Sequence, residues 1–175
     1  MRMLARDELR EAFLVRAELE SLATEIATPK MSSADLAELE EAERRFSGIT
    51  RDLVEMSHAG RQDLQLARDW LHANHAFHDV IYAAAEVPLI ERMAKAARRT
   101  FLAKPVWATG ADLDELYRKN DRQHRAIREA MTARSPQGAR VLAREHVLSS
   151  GRLLEAILDK VASQTREPAA AARSG

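Results

Sequence analysis

The stretch RQHRAIREAMTARSPQGARVLAREHVL, residues 122–148, contains two helical patterns separated by a short break. Ser135 and Pro136 mark the break, because serine is a good helix cap and proline fits the first turn of a helix. Apolar residues recur at three- and four-residue steps on both sides, as in amphipathic helices. The stretch therefore predicts an antiparallel helical hairpin, in which one helix ends near Ala133 and the next begins at Pro136.

The helical period continues outward from this hairpin through most of the chain, and no segment shows a convincing β alternation. Only 6 glycines and 5 prolines interrupt the 175 residues. The breaks predict six helices, over about 4–28, 33–56, 63–85, 88–102, 112–133 and from 136 to about 166. Short connections favour an all-α antiparallel bundle. We expect one domain over residues 1–167 and a disordered tail over residues 168–175.

Composition narrows the class of protein. Hydrophobic residues make up 46% of the chain, which is enough to build a core. Lys and Arg (27) balance Asp and Glu (27), which argues against a free-standing nucleic-acid binder. No apolar run is long enough to span a membrane, and the charged N-terminal residues do not resemble a signal peptide. The absence of cysteine excludes disulfides and thiol catalysis, and the cytoplasm is the simplest location.

Spacing places two of the six histidines opposite each other in the hairpin. His124 and His146 each lie 11 residues from Ser135, close to three helical turns, so both rings can point the same way. On the third helix, Asn74 and His78 are one turn apart and share a face. If that face meets the hairpin, the resulting ligand set suits Zn²⁺, Ni²⁺, Mn²⁺ or Fe²⁺. The ordinary alternative is that each histidine is half-buried and satisfied by a neighbour.

The remaining histidines are weaker candidates. His72 and His75 lie on the predicted helix that carries His78, and we interpret both as surface residues or as supports for a ligand. A pair formed by His75 and His78 is an alternative. His58 lies beside a predicted break and is expected to be solvated.

Four segments resemble the FCD (FadR C-terminal type) domain, the effector-binding domain of one branch of the GntR transcription regulators. NHAFHDVIYAAAEVPLI (74–90) resembles the family signature of the third and fourth helices. RQHRAIREAM (122–131) and AREHVLSSGRLL (143–154) look like its fifth and last helices. VRAELESLATEIA (15–27) resembles its Arg-x-x-Leu-Glu opening. The resemblance covers nearly the whole chain.

The resemblance implies a metal centre with Asn74, His78, His124 and His146 as its ligands. Two positions depart from the family pattern. Asn74 stands where many members have aspartate, which removes a negative charge and should weaken the binding of hard cations. Gln123 replaces the usual glutamate before the histidine, which can alter the support of that ligand.

The resemblance also implies a sensor rather than an enzyme. The metal ion receives a small carboxylate, and an arginine can clamp the remaining oxygens of that acid. Arg16 is the first candidate for this clamp, although an intrahelical pair with Glu20 is an equally simple interpretation. Arg98 and Arg99 are the next candidates, although a solvated position is the more ordinary one for each.

Regulators of this class act as homodimers and contact DNA through a winged helix-turn-helix domain. No such segment precedes Leu4, so we expect this chain to be an effector domain, excised or stand-alone, whose DNA binding depends on a domain outside the sequence. Two alternatives remain open. One is a metal-dependent enzyme that activates water at the three histidines, for which no general base stands out. The other is a dimerisation bundle that a metal ion only stabilises.

Overall fold

The computed structural model describes residues 6–99 and 113–171, which form six helices and contain no strand. The helices are α1 (Arg6–Ala27), α2 (Ser33–His58), α3 (Leu64–Ala85), α4 (Pro88–Arg99), α5 (Asp114–Thr132) and α6 (Pro136–Ala171). The prediction of an all-α bundle of about six helices is confirmed. None of these described helices combines the length and the apolar character needed to cross a bilayer.

Local signals in the sequence determine where several helices begin. Ser32 caps α2: its hydroxyl oxygen accepts a hydrogen bond from the backbone N–H of Asp35 at 3.1 Å, and the Asp35 carboxylate accepts one from the backbone N–H of Ser32 at 2.7 Å. Asp63 caps α3 with its carboxylate, and Pro88 is the first residue of α4. The predicted starts of these three helices lie within one residue of the observed ones.

The C-terminal end of the last helix differs from the expectation. α6 continues to Ala171, beyond the predicted end near residue 166. Residues 168–171 are therefore helical where we expected a tail. Pro168 removes one backbone donor there, but the three residues after it are alanine, the best helix former. Residues 172–175 lie outside the described residues, as does the expected end of α4 at Leu102.

The helices pack in two groups, one around α1 and one around α2, and each group contacts one helix of the α5–α6 hairpin. α1 lies against α6, α4 and α3, whereas α2 lies against α3 and α5. Apolar side chains form one large cluster around Phe77, Ile81 and Met131, a second around Phe46 and Trp70, and a smaller third between α1 and α6 that includes Phe13. Because α3 and α5 contribute to the first two clusters, the space between those two helices lies where these two clusters meet.

α1 and α6 come into close contact at Gly151. A methyl group added there would lie 2.7 Å from Cγ of Phe13 on α1, so only glycine leaves room for that ring. The guanidinium carbon of Arg16 lies 5.1 Å from the centroid of the same ring. The packing of α1 against α6 at Gly151 therefore helps to position Arg16.

We expect Gly151→Ala to lower the free energy of unfolding by about 1–3 kcal/mol, because the added methyl group must displace Phe13 from a packed contact. Gly48→Ala is the matched control, since a methyl group there meets no neighbouring atom within 4 Å. That control should raise the free energy of unfolding by about 0.5–1 kcal/mol, because alanine loses less entropy in a helix. Urea unfolding followed by circular dichroism measures both. A Gly151→Ala protein as stable as the wild type would contradict the tight contact.

Candidate metal and effector site

Three buried histidines from three helices meet in the interior. His78 on α3, His124 on α5 and His146 on α6 each offer one ring nitrogen, and these three nitrogens lie within 4.8 Å of one another. The ring centroids of His124 and His146 are 4.7 Å apart, as their equal distance from the turn predicts. The structure therefore contains a three-histidine group that can hold a metal ion.

Two of the histidines have a polar neighbour at Nδ1. Nδ1 of His78 lies 3.2 Å from Oε2 of Glu20 on α1. Nδ1 of His146 lies 3.2 Å from Oε1 of Gln123 on α5, and the Gln123 amide donates a hydrogen bond to the Ser149 hydroxyl at 2.9 Å. Both contacts engage Nδ1, so Nε2 is the nitrogen that each ring retains for a ligand.

His124 is held in a different way, by aromatic packing. The ring of Phe77 stacks on it with centroids 4.2 Å apart and an interplanar angle of 13°. The ring of Phe46 lies 4.4 Å away on a tilt. Since these two phenylalanines belong to different apolar clusters, His124 lies at the junction between the clusters.

The 3.2 Å approach of Nδ1 of His78 to Oε2 of Glu20 is an ion-pair distance without hydrogen-bond geometry. Several buried polar atoms of the site lack a hydrogen-bond partner within the described ranges: Oε2 of Glu20, Nε2 of His78, both ring nitrogens of His124 and Oδ1 of Asn74. In folded proteins about 90% or more of such buried groups are paired, so these atoms point to a ligand. Asn74 precedes His78 by one turn and shares its face of α3. Imidazole nitrogens with an amide oxygen are a donor set for a divalent transition metal, which the residues present therefore fit.

Burial keeps the three rings uncharged. It lowers the pKa of His78 and of His124 well below the usual 6.5, and the neighbouring His146 adds to the effect in both. Burial also lowers the pKa of His146 to about 4, although the Glu20 carboxylate opposes the shift. Neutral imidazole is the form that coordinates metals, so the three rings are in the ligating form at neutral pH.

Glu20 is buried on α1 and remains ionised. Burial alone raises the pKa of its carboxyl group, but the charges of Arg16 and Arg98 outweigh it and the pKa is lowered overall. Nε of Arg16 donates a hydrogen bond to Oε1 of Glu20 at 2.7 Å. This contact is the intrahelical pair that was the simple alternative to a ligand clamp at Arg16.

Arg98 is buried, so the expectation that this side chain is solvated is wrong. Its Nη1 lies 3.3 Å from Oδ1 of Asp79, and its guanidinium carbon lies 5.2 Å from the centroid of the Tyr82 ring. Its Nε and Nη2 and the Tyr82 hydroxyl have no partner within strict hydrogen-bond geometry among the described residues, but the Arg98 and Tyr82 side chains interact, and Arg98 opposes the rise in the pKa of Tyr82 that burial causes. Arg99 ends α4, and its side chain lies outside the described residues.

The other three histidines are not part of the ligating group. His75 is half-buried, and its pKa is lowered to about 4 by burial and by the charge of Arg98. His72 is exposed on the same helix. His58 is exposed, as expected, but its Nε2 also lies 2.7 Å from Oδ2 of Asp114.

Two residues of the site are missing from the sequence-based prediction. From the sequence, Glu20 is assigned only the role of a partner for Arg16, although its position in the Arg-x-x-Leu-Glu opening is a signal for a place in the site. Tyr82 follows His78 by four residues, which places both on one face of α3 and could have indicated it. Neither signal reveals that α1 brings its carboxylate to the histidine.

Comparison with known proteins agrees with this picture. The family model described as the FCD domain matches residues 11–149, which include all three buried histidines. The chain belongs to the FCD family. Among solved structures, E. coli McbR/YncC is similar, with a TM-score of 0.64 and 18% identity over 91% of this chain and 71% of that chain. At this identity the likeness shows a shared fold. No curated protein matches.

Membership of the FCD family has a direct consequence for function. It assigns this chain to the effector-sensing domains of GntR-type transcription regulators, which are regulatory rather than catalytic. In such regulators another domain binds DNA.

Proposed function

We propose that this FCD domain senses a small organic acid through a divalent transition-metal ion held by Asn74, His78, His124 and His146. One observation carries the proposal: three neutral, buried imidazoles place a nitrogen each within 4.8 Å of one another. His78 and His124 retain buried ring nitrogens that no described residue satisfies. Such a group is costly in an apolar interior unless it binds a ligand.

The charge of the site favours an anionic effector. Zn²⁺, Ni²⁺, Mn²⁺ and Fe²⁺ are the ions that suit imidazole and amide ligands, and each supplies open positions for a carboxylate when bound. Three imidazoles and the Asn74 amide are all neutral, so the ligands themselves do not offset the charge of +2. The Glu20 carboxylate beside His78 is already paired with Arg16. A carboxylate effector should therefore bind this site more favourably than it would bind a site that has aspartate in place of Asn74.

Arg98 is the best candidate for holding the far end of the effector. Its buried guanidinium lies beside the Tyr82 side chain and interacts with it, and no described residue holds its Nε or Nη2 at strict hydrogen-bond geometry. Guanidinium groups bind carboxylates bidentately, so an acid with a second carboxylate, hydroxyl or keto group suits this wall. Arg16 is the second candidate, because its Nε already contacts Glu20. Arg99 is the third.

The regulatory output follows from linkage. An effector changes DNA binding only if its affinity differs between two arrangements of the bundle. We propose that the chain acts in the cytoplasm as a two-fold homodimer. A change in the bundle would then alter the spacing of two DNA-binding domains that are not part of this sequence.

We expect the purified wild-type chain to bind about one divalent transition-metal ion. His124→Ala and His146→Ala should each abolish stoichiometric binding, because each removes a ligand and leaves a cavity in its place. His72→Ala, an exposed histidine on α3, is the control and should bind metal normally. Elemental analysis after dialysis against the metal measures the stoichiometry. Full occupancy in both ligand variants would refute the assignment.

Asn74→Asp tests the charge argument. The added carboxylate should tighten metal binding, because it contributes a charged ligand, and should weaken the binding of a carboxylate effector, because it lowers the net charge of the site. Chelator competition measures the metal affinity, and calorimetry measures the effector affinity. A variant in which both affinities move in the same direction would contradict the argument.

Arg98→Met should weaken effector binding about tenfold or more while metal binding stays intact, since a charge-assisted hydrogen bond contributes about 1.5–3 kcal/mol. Arg92→Met, an exposed arginine on the same helix, is the control. Calorimetry with two- to six-carbon hydroxy, keto and dicarboxylic acids, with and without chelator, tests both variants. Binding that survives complete removal of the metal would overturn the sensor mechanism, and turnover of a bound acid would indicate an enzyme.

A further inference from the structure

His78, His124 and His146 differ in the groups that surround the ring nitrogen not used to bind the proposed metal ion. His78 has the Glu20 carboxylate at 3.2 Å from Nδ1. His146 has the neutral amide oxygen of Gln123 at the same distance. His124 has the Phe46 and Phe77 rings packed against it, and neither of its nitrogens is hydrogen-bonded to a described residue. The three rings are therefore supported to different degrees.

We infer that Glu20 is a positioning residue that fixes the His78 ring and strengthens it as a ligand; this inference rests on the metal centre proposed above. A carboxylate beside Nδ1 favours the tautomer with its proton on Nδ1, which leaves the lone pair on Nε2. The negative charge also raises the electron density of the ring and so its strength as a ligand. The buried, unpaired nitrogen of His78 is Nε2, as this arrangement requires.

The surroundings of Glu20 are suited to this role. Its side chain is 1% exposed, so water does not screen its charge from the histidine. Arg16 binds the other carboxylate oxygen, Oε1, at 2.7 Å, which fixes the rotamer and leaves Oε2 for His78. The guanidinium charge of Arg98 adds to the stabilisation of the ionised form. Each oxygen of this carboxylate therefore faces a different group.

A purely structural role is the competing explanation. Glu20 joins α1 to α3, and a buried carboxylate paired with arginine stabilises helix packing whether or not a metal ion binds. Glu43 on α2 has that character: its Oε2 accepts a hydrogen bond from Nε of Arg128 at 3.0 Å, and its Oε1 accepts one from the Ser47 hydroxyl at 3.0 Å. It contacts these groups rather than a histidine, and its side chain is 7% exposed. Glu43 is therefore a matched control.

The test compares Co²⁺ and Zn²⁺ affinities of the wild type, Glu20→Gln and Glu43→Gln by chelator competition, alongside the thermal stability of each metal-free protein. Both variants should lose stability without metal, since each leaves an arginine less well paired. Only Glu20→Gln should lose metal affinity, by about 10- to 100-fold, and should shift the visible absorption of the Co²⁺ complex. Equal metal affinity in Glu20→Gln and Glu43→Gln would overturn the inference.

A measurement on the wild type keeps the inference testable even if Glu20→Gln does not fold. Long-range ¹H–¹⁵N NMR of the Zn²⁺-loaded protein should show a proton on Nδ1 of His78 and the metal on Nε2. Zinc on Nδ1 would overturn the role of Glu20 and leave the metal centre itself intact. Failure of the wild type to bind any of Co²⁺, Zn²⁺, Ni²⁺, Mn²⁺ and Fe²⁺ would instead overturn the metal centre, and this inference with it.

Discussion

The burial of three imidazoles at the junction of two apolar clusters is the constraint on which the site depends. A ring with hydrogen-bonding nitrogens is costly in such surroundings unless each nitrogen is matched, and the cost of charging it is greater still. Burial therefore keeps His78, His124 and His146 neutral. The surrounding helices supply a carboxylate, an amide and two aromatic rings, and the nitrogens left over face one another.

This constraint connects helices that are far apart in sequence. α1 reaches the site through Glu20, which contacts His78 on α3, while Gln123 on α5 contacts His146 on α6. α2 takes part through Phe46, which packs on His124. A change at the centre would therefore be felt by most of the bundle, which is the property that a sensor needs if a ligand is to favour one arrangement over another.

Individual residues show what sequence reasoning can and cannot reach. The equal distance of His124 and His146 from the turn at Ser135 predicts their approach, because helical geometry over three turns is regular. The burial of Arg98 was not predicted, because α4 offers both apolar and solvated faces to that side chain and only its packing against α1 decides between them. The role of Glu20 is likewise not predictable, because only the packing of α1 against α3 brings its carboxylate to His78.

The sequence by itself determined the helical class, the starts of α2, α3, α4 and α6, and the pairing of the two hairpin histidines. Caps, proline positions and helical periodicity act over a few residues, so they can be read locally. The tertiary structure decided that α3 turns His78 toward the hairpin and that α1 places Glu20 against it. Those outcomes depend on the rotation of one packed helix against another, which is set by side-chain volumes and buried charge across the whole interior.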